Sequence, residues 1–184
     1  GRHRAPESQA GGVSAPALRQ LPIEFVGSYP DPAVPLDPPL PEIAFVGRSN
    51  VGKSSLLNAL VARPGLARVS STPGKTALVN VFRLPTFYLV DLPGYGFARA
   101  SKSARAGYRR LVQGYLKTRT TLAGVVWLLD LRHPPSTDDL AMQELLGDSG
   151  RPVLAVFTKA DKLGRAARVT RARELADSLG LDED

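Results

Sequence analysis

Glu42-Ile43-Ala44-Phe45-Val46-Gly47-Arg48-Ser49-Asn50-Val51-Gly52-Lys53-Ser54-Ser55 decides the fold of this 184-residue chain. Residues 42–46 form a short apolar run of the kind that makes a buried strand, and residues 53–62 read as a helix. Between them, Gly47 to Ser54 matches G-x-x-x-x-G-K-[ST], in the strand–loop–helix setting that the motif requires. The glycines let successive backbone N–H groups turn inward around phosphate oxygens, and the start of the helix adds its positive dipole end. Lys53 is expected to reach the β- and γ-phosphates and to serve catalysis, and the Ser54 hydroxyl to bind Mg²⁺. The expected phosphate contacts run through Gly47, Arg48, Ser49, Asn50, Val51, Gly52, Lys53, Ser54 and Ser55.

A phosphate loop alone does not separate kinases, ATPases and GTPases. Downstream, the apolar strand Phe87-Tyr88-Leu89-Val90 ends in Asp91-Leu92-Pro93-Gly94, a D-x-x-G. An aspartate at the C-terminal end of a strand sits at the ligand edge of an α/β sheet. Asp91 is therefore expected to hold Mg²⁺ through water, and the Gly94 N–H to sense a γ-phosphate. Further on, Val153-Leu154-Ala155-Val156-Phe157 leads into Thr158-Lys159-Ala160-Asp161, a variant of N-K-x-D with threonine in place of asparagine. One carboxylate, that of Asp161, can accept from both guanine N1–H and the exocyclic N2 amine, a donor pair that adenine lacks on that edge. Leaving such a carboxylate unpaired is costly, so ATP should be rejected. The Lys159 stem can pack over the base.

Outward from these motifs, strands alternate with helices. Residues 76–83, 87–90, 125–130 and 153–158 read as strands. Residues 104–118, 137–146 (with Thr137 as N-cap) and 165–179 (stopped by Gly180) read as helices. The expected fold class is α/β, with a mostly parallel sheet covered by helices on both faces. Residues 1–41 hold nine of the sixteen prolines. They divide into a basic, Pro-rich tail over 1–20, expected to be disordered, and an extended lead-in over 21–40, so that the folded domain spans 41–184.

Composition bounds the rest. A hydrophobic fraction of 43% suits a globular core. No run approaches the ~18 apolar residues of a membrane span, and the N-terminal segment has no secretory pattern. The absence of cysteine excludes disulfides, thiolate metal sites and a cysteine nucleophile. A net charge of +7 and a pI near 10.0 point to an anionic partner. The chain starts at Gly1 and its only methionine is Met142, so a longer parent chain is expected.

Taken together, residues 41–55, Ser70-Ser71-Thr72-Pro73-Gly74-Lys75-Thr76, Asp91 to Ala98, Asp130-Leu131-Arg132-His133-Pro134-Pro135 and 158–161 resemble the EngB family of bacterial GTPases over about residues 21–184. That resemblance implies a P-loop G domain and GTP hydrolysis to GDP and phosphate. It also implies a switch role in assembly of the large ribosomal subunit and, in the family's older description, in division septation. A monomeric, cytoplasmic protein with Mg²⁺ and guanine nucleotide as ligands, and rRNA or the large subunit as partner, is expected. The resemblance makes Thr76, with Gly74 and Lys75, the switch I segment whose threonine closes over Mg²⁺. It likens Asn50 to an asparagine that helps K⁺ stand against the phosphates. It also implies that a last strand and helix lie beyond Asp184.

Two features bear on mechanism. Tyr95 occupies the position after D-x-x-G where a glutamine orients water in Ras-like GTPases, so slow intrinsic hydrolysis is expected. Arg99, Lys102, Arg105, Arg109, Arg110, Lys117 and Arg119 form an acid-free stretch with Tyr95, Tyr108 and Tyr115 near or within it, a pattern suited to RNA phosphates. Arg165, Arg168 and Arg171 make a weaker stripe. His133, between a strand end and two prolines, is expected to cap backbone carbonyls. The alternative to a hydrolysing switch is a GTP-binding RNA module with negligible turnover. A P-loop kinase would leave 158–161 idle.

Overall fold

A computed structural model describes residues 17–63, 65–66, 77–97 and 99–182. Six strands and four α-helices follow in the order β1 (Glu24–Tyr29), β2 (Glu42–Gly47), α1 (Lys53–Leu60), β3 (Val79–Arg83), β4 (Tyr88–Asp91), α2 (Lys102–Thr118), β5 (Leu122–Asp130), α3 (Thr137–Ser149), β6 (Val153–Thr158) and α4 (Arg165–Leu179). The strands form one sheet ordered β1-β3-β4-β2-β5-β6. β4, β2, β5 and β6 are parallel, and β3 runs antiparallel to both β1 and β4.

Side-chain alternation along β2 feeds two cores. Ala44 and Val46 join a cluster with Leu111 and Val112 of α2, Met142 of α3 and Leu175 of α4. Phe45 faces the other way, against Leu57 of α1 and Leu128 of β5. Helices therefore cover both faces, as expected for this fold class. At eight residues α1 is shorter than the ~12–15 that an isolated helix needs, so burial of Leu57 beside Val51 and Val61 is what holds it.

β2 lies between β4 and β5, at the point where strand order reverses, and ligands of open α/β sheets bind outside such a point. Register brings the strand ends together there. Phe45 pairs with Asp91, Gly47 with Leu128, and Asp130 with Thr158. All the strand-end motifs thus open at one edge.

The structure differs from the sequence reading in two places. The sheet begins at Glu24, well before residue 41. Glu24–Tyr29 is the proline-free stretch between Pro22 and Pro30, long enough for an edge strand although its surroundings are proline-rich. Residues 30–41 are tied to the body as well. Tyr88 Oη donates to the Pro38 carbonyl at 2.7 Å, and Arg119 donates to that of Val34. Leu18, within the stretch read as a tail, packs against the α1 core. The N-cap of α3 is Ser136 rather than Thr137. The Ser136 hydroxyl accepts the Asp139 N–H and the Asp139 carboxylate accepts the Ser136 N–H, a reciprocal cap. Gly180 ends α4 with φ of 59°, as the sequence predicts.

Candidate nucleotide site

The loop after β2 folds back on itself through Val51 N–H to the Arg48 carbonyl at 3.1 Å. Gly52 then enters α1 with φ of 103°, a conformation that side chains resist, and the Leu56 N–H bond to the Gly52 carbonyl starts the helix. This leaves the first amides of α1 pointing out at the mouth of the loop, where an anion is favoured. Gly47, Arg48, Ser49, Asn50, Val51, Gly52, Lys53, Ser54 and Ser55 thus form one continuous turn into α1. Lys53 Nζ makes an ion pair with Asp91 Oδ1, with side chains only 11% and 6% exposed. A charge so far out of water needs a partner, and each supplies the other's. The loop lysine and the carboxylate that closes β4 are therefore side by side.

The Asp91–Gly94 segment is zipped to the loop. Leu92 N–H donates to Phe45, Tyr95 N–H to Gly47 and Ser49 N–H to Tyr95, at 3.1, 3.2 and 2.7 Å. A Cβ on Gly94 would stand 3.2 Å from Ser49 Cα, so a side chain there would push these backbones apart by a few tenths of an ångström. Leu92 is buried, and Pro93 and Gly94 are half-buried beside the loop.

At the other end, the Thr158 hydroxyl lies 2.7 Å from the Val51 carbonyl and 3.2 Å from that of Leu129. Threonine here is a strut between β6 and the phosphate loop. Lys159 adopts φ of 61° and donates to the Asn50 carbonyl at 2.7 Å, lying along the loop. Ala160 opens a short 3₁₀ turn that presents Asp161, whose side chain is 73% exposed with Lys162 3.5 Å away.

Asp130, at the end of β5, is a residue whose role the motifs did not single out. Its carboxylate accepts from the Arg132 backbone and guanidinium at 2.9–3.1 Å and stands 3.6 Å from Lys159 Nζ. Burial pushes its pKa up, but the bonds from Arg132 and the charges of Arg132 and Lys159 outweigh this and hold it at about 2. Asp130 braces Lys159 from behind. The sequence offered two signals, an aspartate at a strand end and its place in the Asp130–Pro135 stretch that resembles the family. A cavity of about 350 Å³ opens between Arg48–Asn50, Arg132–His133 and Lys159, beside the loop.

Several expectations need correction. Tyr95, read as one of the aromatics accompanying the basic stretch, is not on the surface. It is buried, its hydroxyl donating to Asp139 Oδ1 at 2.6 Å and accepting from Trp127 Nε1 at 3.0 Å. Burial, then the Asp139 bond, push its pKa up. The basic stretch is smaller than its sequence count. Arg119 is buried against Glu42 at 3.0 Å, and Tyr115 is buried with it. Tyr108 packs edge-on to Tyr95. The exposed cations of α2 are Lys102, Arg105, Arg109, Arg110 and Lys117, without interleaved aromatics on the surface. The His133 ring is exposed at the cavity rim and makes no hydrogen bond among the described residues. Asn50 has φ of 65° and an exposed side chain. Gly74, Lys75 and Thr76 lie outside the described residues.

Among the described residues no group of three or more acidic or histidine side chains could hold a metal alone. Mg²⁺ usually keeps several waters and takes one or two carboxylates with substrate phosphates, so it needs no such cage, and Asp91 beside the loop lysine offers such a carboxylate. No helix among them is long and apolar enough to cross a membrane.

The sequence model of a family described as "50S ribosome-binding GTPase" matches residues 42–159, more than half of the chain. A "Probable GTP-binding protein EngB" of Gemmatimonas aurantiaca is 55% identical over 79% of this chain and 72% of its own. One of the same description from Syntrophus aciditrophicus is 46% identical over 90% and 85%. A crystal structure of a probable GTP-binding protein engB superposes with a TM-score of 0.62 at 21% identity, over 77% of this chain and 82% of that one. This likeness speaks for the fold alone.

Proposed function

Because this chain belongs to the EngB family of GTP-binding proteins and is a GTPase that takes guanine nucleotides, we propose that it is a switch in assembly of the large ribosomal subunit. The same family reading extends to normal division septation. The observation that carries the nucleotide part is the convergence at one sheet edge of the Gly47–Ser55 loop, Asp91–Gly94 and Thr158–Asp161.

In this reading the loop amides and Lys53 bind the β- and γ-phosphates. Lys53 exchanges the Asp91 carboxylate for phosphate oxygens. Ser54, Thr76 and, through water, Asp91 would hold Mg²⁺, which would supply charge neutralisation at the phosphates. Gly94 donates its N–H to the third phosphate, with Leu92 and Pro93 shaping its approach. Asp161 accepts the two guanine donors while Lys159, braced by Asp130, covers the ring. Catalysis here is positioning and charge stabilisation. With Tyr95 turned into the core, no side chain at that position orients the attacking water, so turnover is slow in isolation. Asn50, with its side chain free on the loop rim, is the candidate for holding K⁺ at the phosphates.

The partner reading rests on the basic face of α2 and the ribosome-binding description of the matched family. Lys102, Arg105 and Arg109 can neutralise rRNA phosphates through a salt-dependent counterion effect. We place the protein in the cytoplasm, as a monomer. Calorimetry with GDP and ATP, then phosphate release with and without large subunits, tests the whole. Tight GDP binding, no ATP binding and acceleration by subunits are expected. Equal affinity for the two purines overturns the base assignment. Equal hydrolysis rates in K⁺ and Na⁺ at matched ionic strength remove the role of Asn50.

A further inference from the structure

The turn into which Tyr95 is built holds more bonds than a solvent-facing switch residue would. Its backbone is fastened on both sides to the phosphate loop, through Gly47 and Ser49. Its hydroxyl is saturated, giving a proton to Asp139 and taking one from Trp127. The other oxygen of Asp139 is committed to the Ser136 N–H, so that carboxylate is immobilised by the first turn of α3. The Tyr108 ring closes the remaining side at 6.3 Å between centroids. Gly94, one residue upstream, makes no N–H bond among the described residues and stands against Ser49.

We propose that Asp139, acting through Tyr95, is a positioning residue that holds the Gly94 amide ready for the third phosphate of GTP. The inference rests on the reading of Gly94 as the γ-phosphate donor. A loop amide that must be ordered at binding loses affinity in proportion to that ordering, whereas one ordered by the fold does not. GDP has no group for Gly94, so the effect is confined to the triphosphate. This gives Tyr95 a use that its burial leaves open. It orients no water; it fastens its neighbour. It also makes α3, an element outside the nucleotide motifs, part of the discrimination between the two nucleotide states.

The test measures affinities of the full chain for GDP and for a non-hydrolysable GTP analogue by calorimetry, in Tyr95→Phe, Asp139→Ala, Ser136→Ala and Gly94→Ala. Tyr95→Phe keeps the ring and removes only the hydroxyl. Tyr95→Phe and Asp139→Ala should weaken the analogue about tenfold, roughly the value of one hydrogen bond to a charged group. GDP should stay within about twofold, a change too small to register as one lost bond. Ser136→Ala loses the helix cap but keeps the Tyr95 bond, so it should lower thermal stability and leave the analogue-to-GDP ratio unchanged. A merely structural role would make all three act on stability alone or on both nucleotides alike, and that result overturns the proposal. If Gly94→Ala shifts the ratio while Tyr95→Phe does not, the tie to Asp139 fails and the Gly94 reading stands. If Gly94→Ala folds and leaves the ratio unchanged, both fail.

Discussion

The two ends of the nucleotide site are built on opposite terms. At the phosphate end, Lys53 and Asp91 are nearly out of solvent and neutralise each other. At the base end, Asp161 stands in water and Lys159 is held by a backbone carbonyl and a second carboxylate. A charged phosphate chain is common to every nucleotide, so its receptor can be formed in advance by the fold. Guanine recognition depends on two donors, and an exposed carboxylate gains strength only when the base itself excludes water from it. In the proposed reading the phosphate end is thus coupled to stability, and the base end to specificity.

The largest expected effect breaks that division at the phosphate end. Lys53→Met leaves Asp91 buried without its partner and should cost about 3 kcal/mol of folding stability, read by urea denaturation without nucleotide. An unchanged midpoint would mean that the pair contributes nothing to the fold. At the base end the pattern reverses. Asp161→Asn should move stability by no more than about 0.5 kcal/mol. Its GDP affinity should fall by about 100-fold, as two charge-assisted bonds are lost. A loss of folding free energy larger than the loss of binding free energy would contradict the contrast.

The smallest effect sharpens the boundary between the two ends. Asp130 has its pKa lowered to about 2 from 3.8, so the folded state holds its charge more strongly than the unfolded chain does. That stability is fully present above about pH 5 and is lost as pH falls through the folded value. It amounts to about 1–2 kcal/mol after allowance for partial exposure. Asp130→Asn should flatten the stability profile between about pH 5 and pH 2 by that amount. A parallel, merely lowered profile would place the acid sensitivity elsewhere.

Much of this arrangement was legible in the sequence because its signals are local. The phosphate loop needs its glycines and lysine at fixed spacing, and β2 and α1 flank it on hydrophobic periodicity alone. Helix ends such as Gly180 follow from single-residue conformational preferences. β1 was harder to see, because a proline-rich average over residues 1–41 hides a six-residue stretch that is free of proline. The basic face was overcounted, since Arg119 looks like its neighbours until Glu42, 77 residues away, appears beside it.

By itself, the sequence determined the α/β alternation, the order of the three motifs and the position of the Asp161 carboxylate that we propose reads guanine, since each rests on spacing within a few residues. Only the tertiary structure decided which way Tyr95 turns, that Asp130 stands behind Lys159, that Thr158 braces the phosphate loop, and which arginines remain on the surface. Those outcomes depend on burial and on partners distant along the chain, and desolvation acts on a side chain according to what the fold brings against it.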